Sequence, residues 1–321
     1  MRHPRLISII VLACGMHAAG AAAEFPDKAV RIVVGHSAGD TIDLIARVSG
    51  AALAEGFRQP VVVEDQPGNH GNVAAARIAK SKPDGYTLLI AASSFAANAS
   101  LYPNLQHQPL RDFAPVARIA DVHQLLVVSA SGAKTLAAFI AAIRANPGKI
   151  IFGSAGNASP SHLAEELMKI RAGPLNTLHV PYKSSGPALV ELLGGHIEAL
   201  IVTMPFAYPH VKSGRLRALA VAAPKRAVPL PQVPTFAEAG VPGVEAVVWS
   251  GLLAPVGTPY DTVVRLRLGV TKALASVELK SKLAALGAEP EAGNPDQFAE
   301  YLRAEVAKWS QVIKAAGITA E

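Results

Sequence analysis

Hydrophobic and polar positions follow two alternating rhythms along most of this chain. Short β-branched runs, of which Val30–Val34 is the first, have the composition of buried strands. Apolar residues at helical spacing follow this run and predict a helix over about 41–55. The same succession of strand, loop and helix recurs at 60–82 and at 150–170. Because strands that alternate with helices form parallel sheets covered on both faces, the pattern predicts an α/β fold.

Two long extended stretches, 116–129 and 244–254, bracket one series of strand–helix units. This arrangement is expected when a chain crosses from one lobe into another and later returns. The segment 259–317 has a mostly helical pattern and would then complete the first lobe. The predicted bounds are 24–125 together with 248–321 for the first lobe, and 126–247 for the second.

Three loops of the first lobe, 35–41, 66–72 and 92–98, each leave the end of a predicted strand. In parallel sheets these ends share one edge, and ligands bind beyond it. The first loop has two glycines and precedes a helix, whose free N–H groups and dipole favour an anion. The chain has neither GxGxxG nor GxxxxGK[ST], so no nucleotide fingerprint is present.

An alternative treats the first loop as an ordinary connection between strand and helix. Asp40 or Thr41 would then be the N-cap of the helix, and Asp43 would complete the cap. The sequence of this loop alone leaves both interpretations open.

Residues 1–23 have the pattern of a secretory signal peptide. A basic start with Arg2 and Arg5 precedes a short apolar run, and three alanines before Glu24 form a cleavage site. The apolar run is shorter than the roughly 20 residues of a spanning helix, so we expect export to a bacterial periplasm. An alternative uses Cys14 as a lipoprotein site, but it cuts the apolar run short. Cleavage before Glu24 removes the single cysteine and excludes disulfides.

Composition narrows the function further. Half of the residues are hydrophobic and 17% are charged, which suits a large core in about two domains. The net charge is +6, and removal of Arg2 and Arg5 leaves +4. The basic residues are scattered, so we expect no nucleic-acid partner. The mild positive balance suits a small anionic ligand.

A series of motifs connects the chain to a known family. They stand in this order: PDGYTLL at 83–89, VPYK at 180–183, PHVKSGRLRALAV at 209–221, PTFAEAG at 234–240 and WSGLLAP at 249–255. In this order the chain resembles the Bug/TctC family, the periplasmic receptors of tripartite tricarboxylate transporters. The resemblance covers essentially the whole chain after the predicted signal peptide.

The resemblance implies a two-lobed periplasmic binding protein, a type II-like Venus flytrap with its ligand cleft between the lobes. Such receptors hold small carboxylates through backbone N–H groups, hydroxyls and ordered waters. The implied partners are a small-molecule carboxylate and the subunits of a membrane permease. It further implies a monomer that is not an enzyme and has no cofactor and no metal.

By position, the resemblance assigns ligand binding to four loops and one further threonine. These residues are His36, Ser37, Ala38, Gly39, Asp40, Thr41 and Asp43 in the first loop, Gly68, Asn69, His70, Gly71 and Asn72 in the second, Ser93 and Ser94 in the third, Ser154, Ala155, Gly156, Asn157, Ser159, Ser161 and His162 in the facing loop of the other lobe, and Thr203.

The first loop departs from the family pattern at two positions. His36 stands where the family commonly has an aromatic residue, and Asp40 replaces a glycine. A carboxylate beside a carboxylate site is electrostatically unfavourable, so the ligand class stays open. If His36 and Asp40 pair with each other, we expect the pKa of His36 to be raised.

Several single residues have a structural alternative. His162 suits a structural histidine that bonds a backbone carbonyl better than a ligand contact, and its i,i+4 pair with Glu166 lacks a third metal ligand. His70 lies in a turn, where solvation alone would explain it. Trp249 is expected in the core rather than against a ligand.

Two other functions remain as alternatives. The chain could be an extracytoplasmic sensor that passes ligand information to a membrane kinase. It could also be a secreted hydrolase, since Ser154 and Ser161 have histidines nearby in sequence. GxSxG is absent, however, and the sequence places no Ser–His–acid set.

Overall fold

A computed structural model describes residues 25–291 and 293–320, and the predicted signal peptide lies outside them. The elements are β1 Val30–Val34, α1 Thr41–Phe57, β2 Val61–Asp65, α2 Asn72–Ala79, β3 Thr87–Ala92, α3 Ser93–Leu101, β4 Phe113–Val122, β5 Gln124–Ser129, α4 Leu136–Ala145, β6 Ile151–Ser154, α5 Pro160–Ala172, β7 Leu178–Pro181, α6 Ser185–Gly194, β8 Ala199–Thr203, α7 Met204–Lys212, β9 Leu216–Val221, β10 Val248–Pro255, α8 Tyr260–Ala275, α9 Val277–Ala285, β11 Ala288–Pro290 and α10 Pro295–Ala316. The α/β prediction is confirmed.

The strands form two sheets, one in each lobe of a two-lobed molecule. The first sheet has the order β11-β4-β10-β3-β1-β2 and the second has the order β7-β6-β8-β5-β9. The predicted parallel pairing holds for β1 with β2 and β3, and for β6 with β7 and β8. It is wrong elsewhere, because strands that carry the chain between the sheets run antiparallel to their neighbours.

Both extended stretches carry the chain from one sheet to the other. The stretch 116–129 divides into β4 and β5, and only His123 separates them. On the return, the amide of Gln124 donates to the carbonyl of Ala246 at 2.7 Å, which joins the two crossings. This pair of connections forms the hinge region between the lobes.

Two further expectations are corrected. The segment 92–98 is not a loop, because α3 begins at Ser93 directly after β3. Its sequence, SSFAANASL, has no glycine or proline to interrupt a helix. The break near Gly287 contains β11, which pairs with β4. Three residues are too few for a periodic signal, so the sequence did not indicate this strand.

The core around β10 contains Trp249, which is fully buried as expected. Its ring packs edge-on against Phe298 and Tyr301 of α10. Its indole N–H donates to the carboxylate of Glu305, which also accepts from Trp309. Helix α10 is thereby fixed to the first sheet. Within the described part of the chain, every helix is too short or too polar to cross a lipid bilayer.

Candidate functional site

A cleft of about 750 Å³ lies between the two lobes. The first lobe contributes the ends of β1 and β3 and the starts of α1 and α3. The second lobe contributes the starts of α5, α6 and α7. Gln124 and Val248, at the two crossings, lie on its wall. The cleft is therefore enclosed by both halves of the chain and by the hinge that joins them.

The structure divides the predicted site residues into two groups. The cleft is lined by His36, Ser37, Gly39, Asp40, Thr41, Gly68, His70, Ser93, Ser94, Ala155, Ser159, Ser161 and Thr203. Ala38, Asp43, Asn69, Gly71, Asn72, Ser154, Gly156, Asn157 and His162 are not part of that lining. Of the second group, Asp43, Asn72, Ser154 and His162 are buried.

The first loop is shaped by its two acids. Asp40 is the N-cap of α1, and its Oδ1 accepts from the N–H of Ile42 at 2.9 Å, as the structural alternative predicted. Asp43 is buried, accepts from the N–H of Gly39 at 2.7 Å, and pairs with Arg47 at 2.7 Å. Burial acts to raise the pKa of Asp43, but the Gly39 N–H and Arg47 outweigh it and lower that pKa. Asp43 therefore holds the loop in place from below.

The first and second loops touch through two glycines. A Cβ on Gly35 would lie 2.5 Å from the Cα of Gly71, so only glycine fits at that position. His36 and His70 flank this contact and both line the cleft. The pKa of His36 is lowered, because burial outweighs the opposing effect of Asp40, and His70 lowers it further. Asp40 thus acts in the expected direction, but the expected net rise of the His36 pKa does not occur.

Three helix N-termini of the second lobe meet the cleft. Ser159 caps α5 by accepting from the N–H of His162, at 3.4 Å. Ser184 and Thr203 occupy the N-cap positions of α6 and α7 without a side-chain cap bond. At the start of α6, backbone N–H groups thus lack a partner from the cap side chain, whereas at the start of α7 the N–H of Met204 donates to the carbonyl of His123 and Pro205 has no N–H. The dipoles of both helices place positive potential at these starts.

Sequence reasoning missed several residues of the wall. They include Lys183, Ser184 and Ser185 before and within α6, Gln124 at the hinge, and Phe206 on α7. Lys183 belongs to the family motif at 180–183, and that motif was the available signal for it. Gln124 and Phe206 carry no comparable signal, because their exposure to the cleft depends on how the lobes meet.

The facing loop rests on a pair of stacked histidines. The rings of His162 and His179 lie 3.8 Å apart at 11°, and the Nδ1 of His162 accepts from the N–H of Ala158 at 3.1 Å. His162 is thus structural, as expected, but it accepts from a backbone N–H instead of bonding a carbonyl. Burial lowers the pKa of each ring to about 4.

Ser154 forms a hydrogen bond with His179, at 2.7 Å between Oγ and Nε2. The sequence had not paired these residues. Ser154 is completely buried, is not part of the cleft lining, and donates to the carbonyl of Gly156 at 3.0 Å. No carboxylate of the described residues bonds to His179. The arrangement therefore presents no serine nucleophile to the cleft.

The pair of His162 and Glu166 does not extend to a metal centre. The Nε2 of His162 lies 3.8 Å from Glu166, whose carboxylate pairs with Lys169 at 2.7 Å. Over 25–291 and 293–320, the side chains of His, Cys, Asp and Glu form no group of three suited to a metal ion.

Comparison with known proteins gives consistent relatives. A family model described as the tripartite tricarboxylate transporter family receptor matches residues 45–318. BugT of Bordetella pertussis is 36% identical over 315 residues, which cover 97% of this chain and 96% of BugT.

Two similar proteins have solved structures with an acid bound. Rpa4515 of R. palustris, described with adipate, is 38% identical with a TM-score of 0.77, over 92% of this chain and 99% of that one. MatC from Rhodopseudomonas palustris, described with bound malate, is 31% identical with a TM-score of 0.73, over 90% of this chain and 100% of MatC.

Proposed function

The chain belongs to the tripartite tricarboxylate transporter receptor family, and on that premise we propose that it is a periplasmic receptor for a small carboxylate. The receptor releases its ligand unchanged to the subunits of a membrane permease, and it acts as a monomer. Residues 1–23 direct its export, and the lobes comprise 24–125 with 248–321, and 126–247. The division of the strands between two sheets supports this arrangement, with β5 of the second sheet beginning at Gln124, two residues before the proposed boundary.

One observation carries the proposal most directly: the interlobe cleft is walled by helix N-termini and hydroxyl groups. Carboxylates bind to such N–H groups without needing many cationic side chains. The cleft-lining members of the predicted set are the proposed ligand contacts. The adipate and malate described with Rpa4515 and MatC support a small carboxylate here as well.

The proposal is tested by screening carboxylates against the melting temperature of the purified protein. A ligand at about 100 times its dissociation constant stabilises the native form by about 2.7 kcal/mol. We expect at least one acid of the adipate or malate type to raise the melting temperature. It should be recovered intact after prolonged incubation, because the Ser154–His179 pair lies outside the cleft lining.

Matched variants separate binding in the cleft from binding elsewhere. Ala155→Phe narrows the cleft and should abolish the stabilisation by ligand. Ala145→Phe adds the same ring at an exposed position of α4 outside the cleft and should leave it intact. If no carboxylate changes the melting temperature, the receptor proposal is wrong, and if the ligand is consumed, the protein is an enzyme.

A further inference from the structure

The cleft has one carboxylate and one ammonium group among its described lining residues, and they belong to opposite lobes. Asp40 lies at the start of α1 in the first lobe, and Lys183 directly precedes α6 in the second. Both residues are exposed, and neither forms an ion pair within the described part of the chain. Two unpaired charges of opposite sign therefore face the same ligand space.

The second-lobe end of the cleft favours an anion. Lys183 is followed by the α6 N-terminus, where Ser184 makes no side-chain cap bond. The α7 N-terminus lies on the same wall and contributes its dipole, while the N–H of Met204 donates to the carbonyl of His123. The ammonium charge and both helix dipoles thus have the same sign. A ligand carboxylate is stabilised at this end.

The first-lobe end of the cleft disfavours an anion. The Asp40 carboxylate uses Oδ1 to cap α1, so its negative charge offsets the dipole of that helix. Burial lowers the pKa of the adjacent His36, which leaves this ring uncharged at neutral pH. The charge of Asp40 is therefore available to a ligand group that donates hydrogen bonds or carries positive charge.

From this polarity, and resting on the proposed receptor function, we infer that the preferred ligand is bipolar. It has a carboxylate, held by Lys183 and the N–H groups at the start of α6, and an ammonium or similar cationic donor, held by Asp40. Symmetric dicarboxylates are disfavoured because their second carboxylate would face Asp40. Asp40 and Lys183 are thus the residues that determine specificity between these ligand classes.

The test compares ligands of equal length that differ in one terminal group. Adipate and ε-aminocaproate share one carbon skeleton length, as do succinate and γ-aminobutyrate. Calorimetric titrations are run at about pH 8, above the ordinary histidine pKa of about 6.5, so that amines stay charged and imidazoles do not. Replacing the second carboxylate, which Asp40 repels, by an ammonium group, which Asp40 attracts, should strengthen binding at least about tenfold.

Four variants assign the preference to the two residues. Asp40→Asn keeps an effective N-cap while it removes the charge, and should abolish or reverse the preference for the amino acid. Lys183→Gln should weaken both ligand series about tenfold. Asp261→Asn and Lys272→Gln make the same exchanges at exposed positions of α8 and should change neither series.

The outcomes distinguish this inference from the receptor proposal. Tighter binding of the dicarboxylates by the unmodified protein would overturn the inference and leave the receptor function standing. Equal effects of Asp40→Asn on both series would also overturn it, since they would indicate that Asp40 and Lys183 simply pair across the cleft. A protein that binds neither series nor any other carboxylate of the melting-temperature screen fails the receptor proposal itself.

Discussion

Glu305 is a buried carboxylate that joins α10 to the first sheet, and its removal should destabilise the protein strongly. It is 4% exposed, and its Oε2 accepts from the indole N–H groups of Trp249 at 3.2 Å and Trp309 at 2.9 Å. Its other oxygen pairs with Lys308, which also donates to the backbone of Glu245. Glu305→Ala would leave two buried N–H donors without an acceptor.

The expected cost follows from those two donors. Each buried donor left unsatisfied costs about 1–3 kcal/mol, so the two donors exposed by Glu305→Ala should lower the free energy of unfolding by about 2–6 kcal/mol. Glu305→Gln keeps one carbonyl oxygen within reach of both indoles and should cost about 1–2 kcal/mol through the lost charge-assisted bonds. Lys308 retains its backbone acceptor in both variants.

Urea unfolding followed by tryptophan fluorescence measures this directly, because the chain has only two tryptophans and both contact Glu305. Circular dichroism should report the same transition if unfolding is two-state. Glu300→Ala, at an exposed position of the same helix, is the matched control and should stay within about 0.5 kcal/mol of the unmodified protein. Equal losses for the alanine and glutamine variants at Glu305 would refute the role assigned to the two indoles.

Three further predictions concern the loops of the cleft. Gly35→Ala should destabilise the protein by about 1–3 kcal/mol and weaken ligand binding, since the added Cβ would collide with Gly71. In the control Gly56→Ala the added Cβ meets no atom within 4 Å, so thermal melts should show a neutral or stabilising effect. The free energy of unfolding should fall as pH drops from about 6.5 towards 4, because His162 takes up its proton at a higher pH in the unfolded state than in the folded state, where its pKa is about 4. At about pH 5 the loss is about 2 kcal/mol for this ring, and a free energy of unfolding that stays constant over this range would contradict the prediction. Because the pKa of His36 is lowered, affinity for an anionic ligand should be constant above neutral pH and rise only below about pH 6.5, and calorimetry with His36→Phe should show no such rise.

The order of the elements could be predicted from the sequence because each depends on a local rhythm. Strand β1 and helix α1 show β-branched and helical spacing within a few residues, and the structure has them where the pattern indicates. The antiparallel direction of β10 could not be predicted in this way, because it depends on where the chain returns from the other lobe.

The cleft was partly predictable for the same reason. Loops that leave neighbouring parallel strands must share an edge, so His36 and His70 were expected near each other and both line the cleft. Residues whose place depends on pairing at a distance were missed. Ser154 meets His179 because β6 and β7 pair in a specific register, and Lys183 reaches the cleft because α6 starts beside α5 and α7. None of these relations leaves a periodic trace in the sequence.

The position of β10 between β3 and β4 has a consequence for the order in which the protein assembles. The hydroxyl of Ser250 bonds the carbonyl of Ala120, and these residues are 130 positions apart. The first sheet therefore has a gap until the chain has been made as far as β10, whereas β5 to β9 form one contiguous segment. The second sheet can close early, while the edges of β3 and β4 stay open to wrong partners. Chaperones that hold an exported chain unfolded would protect these edges until β10 arrives.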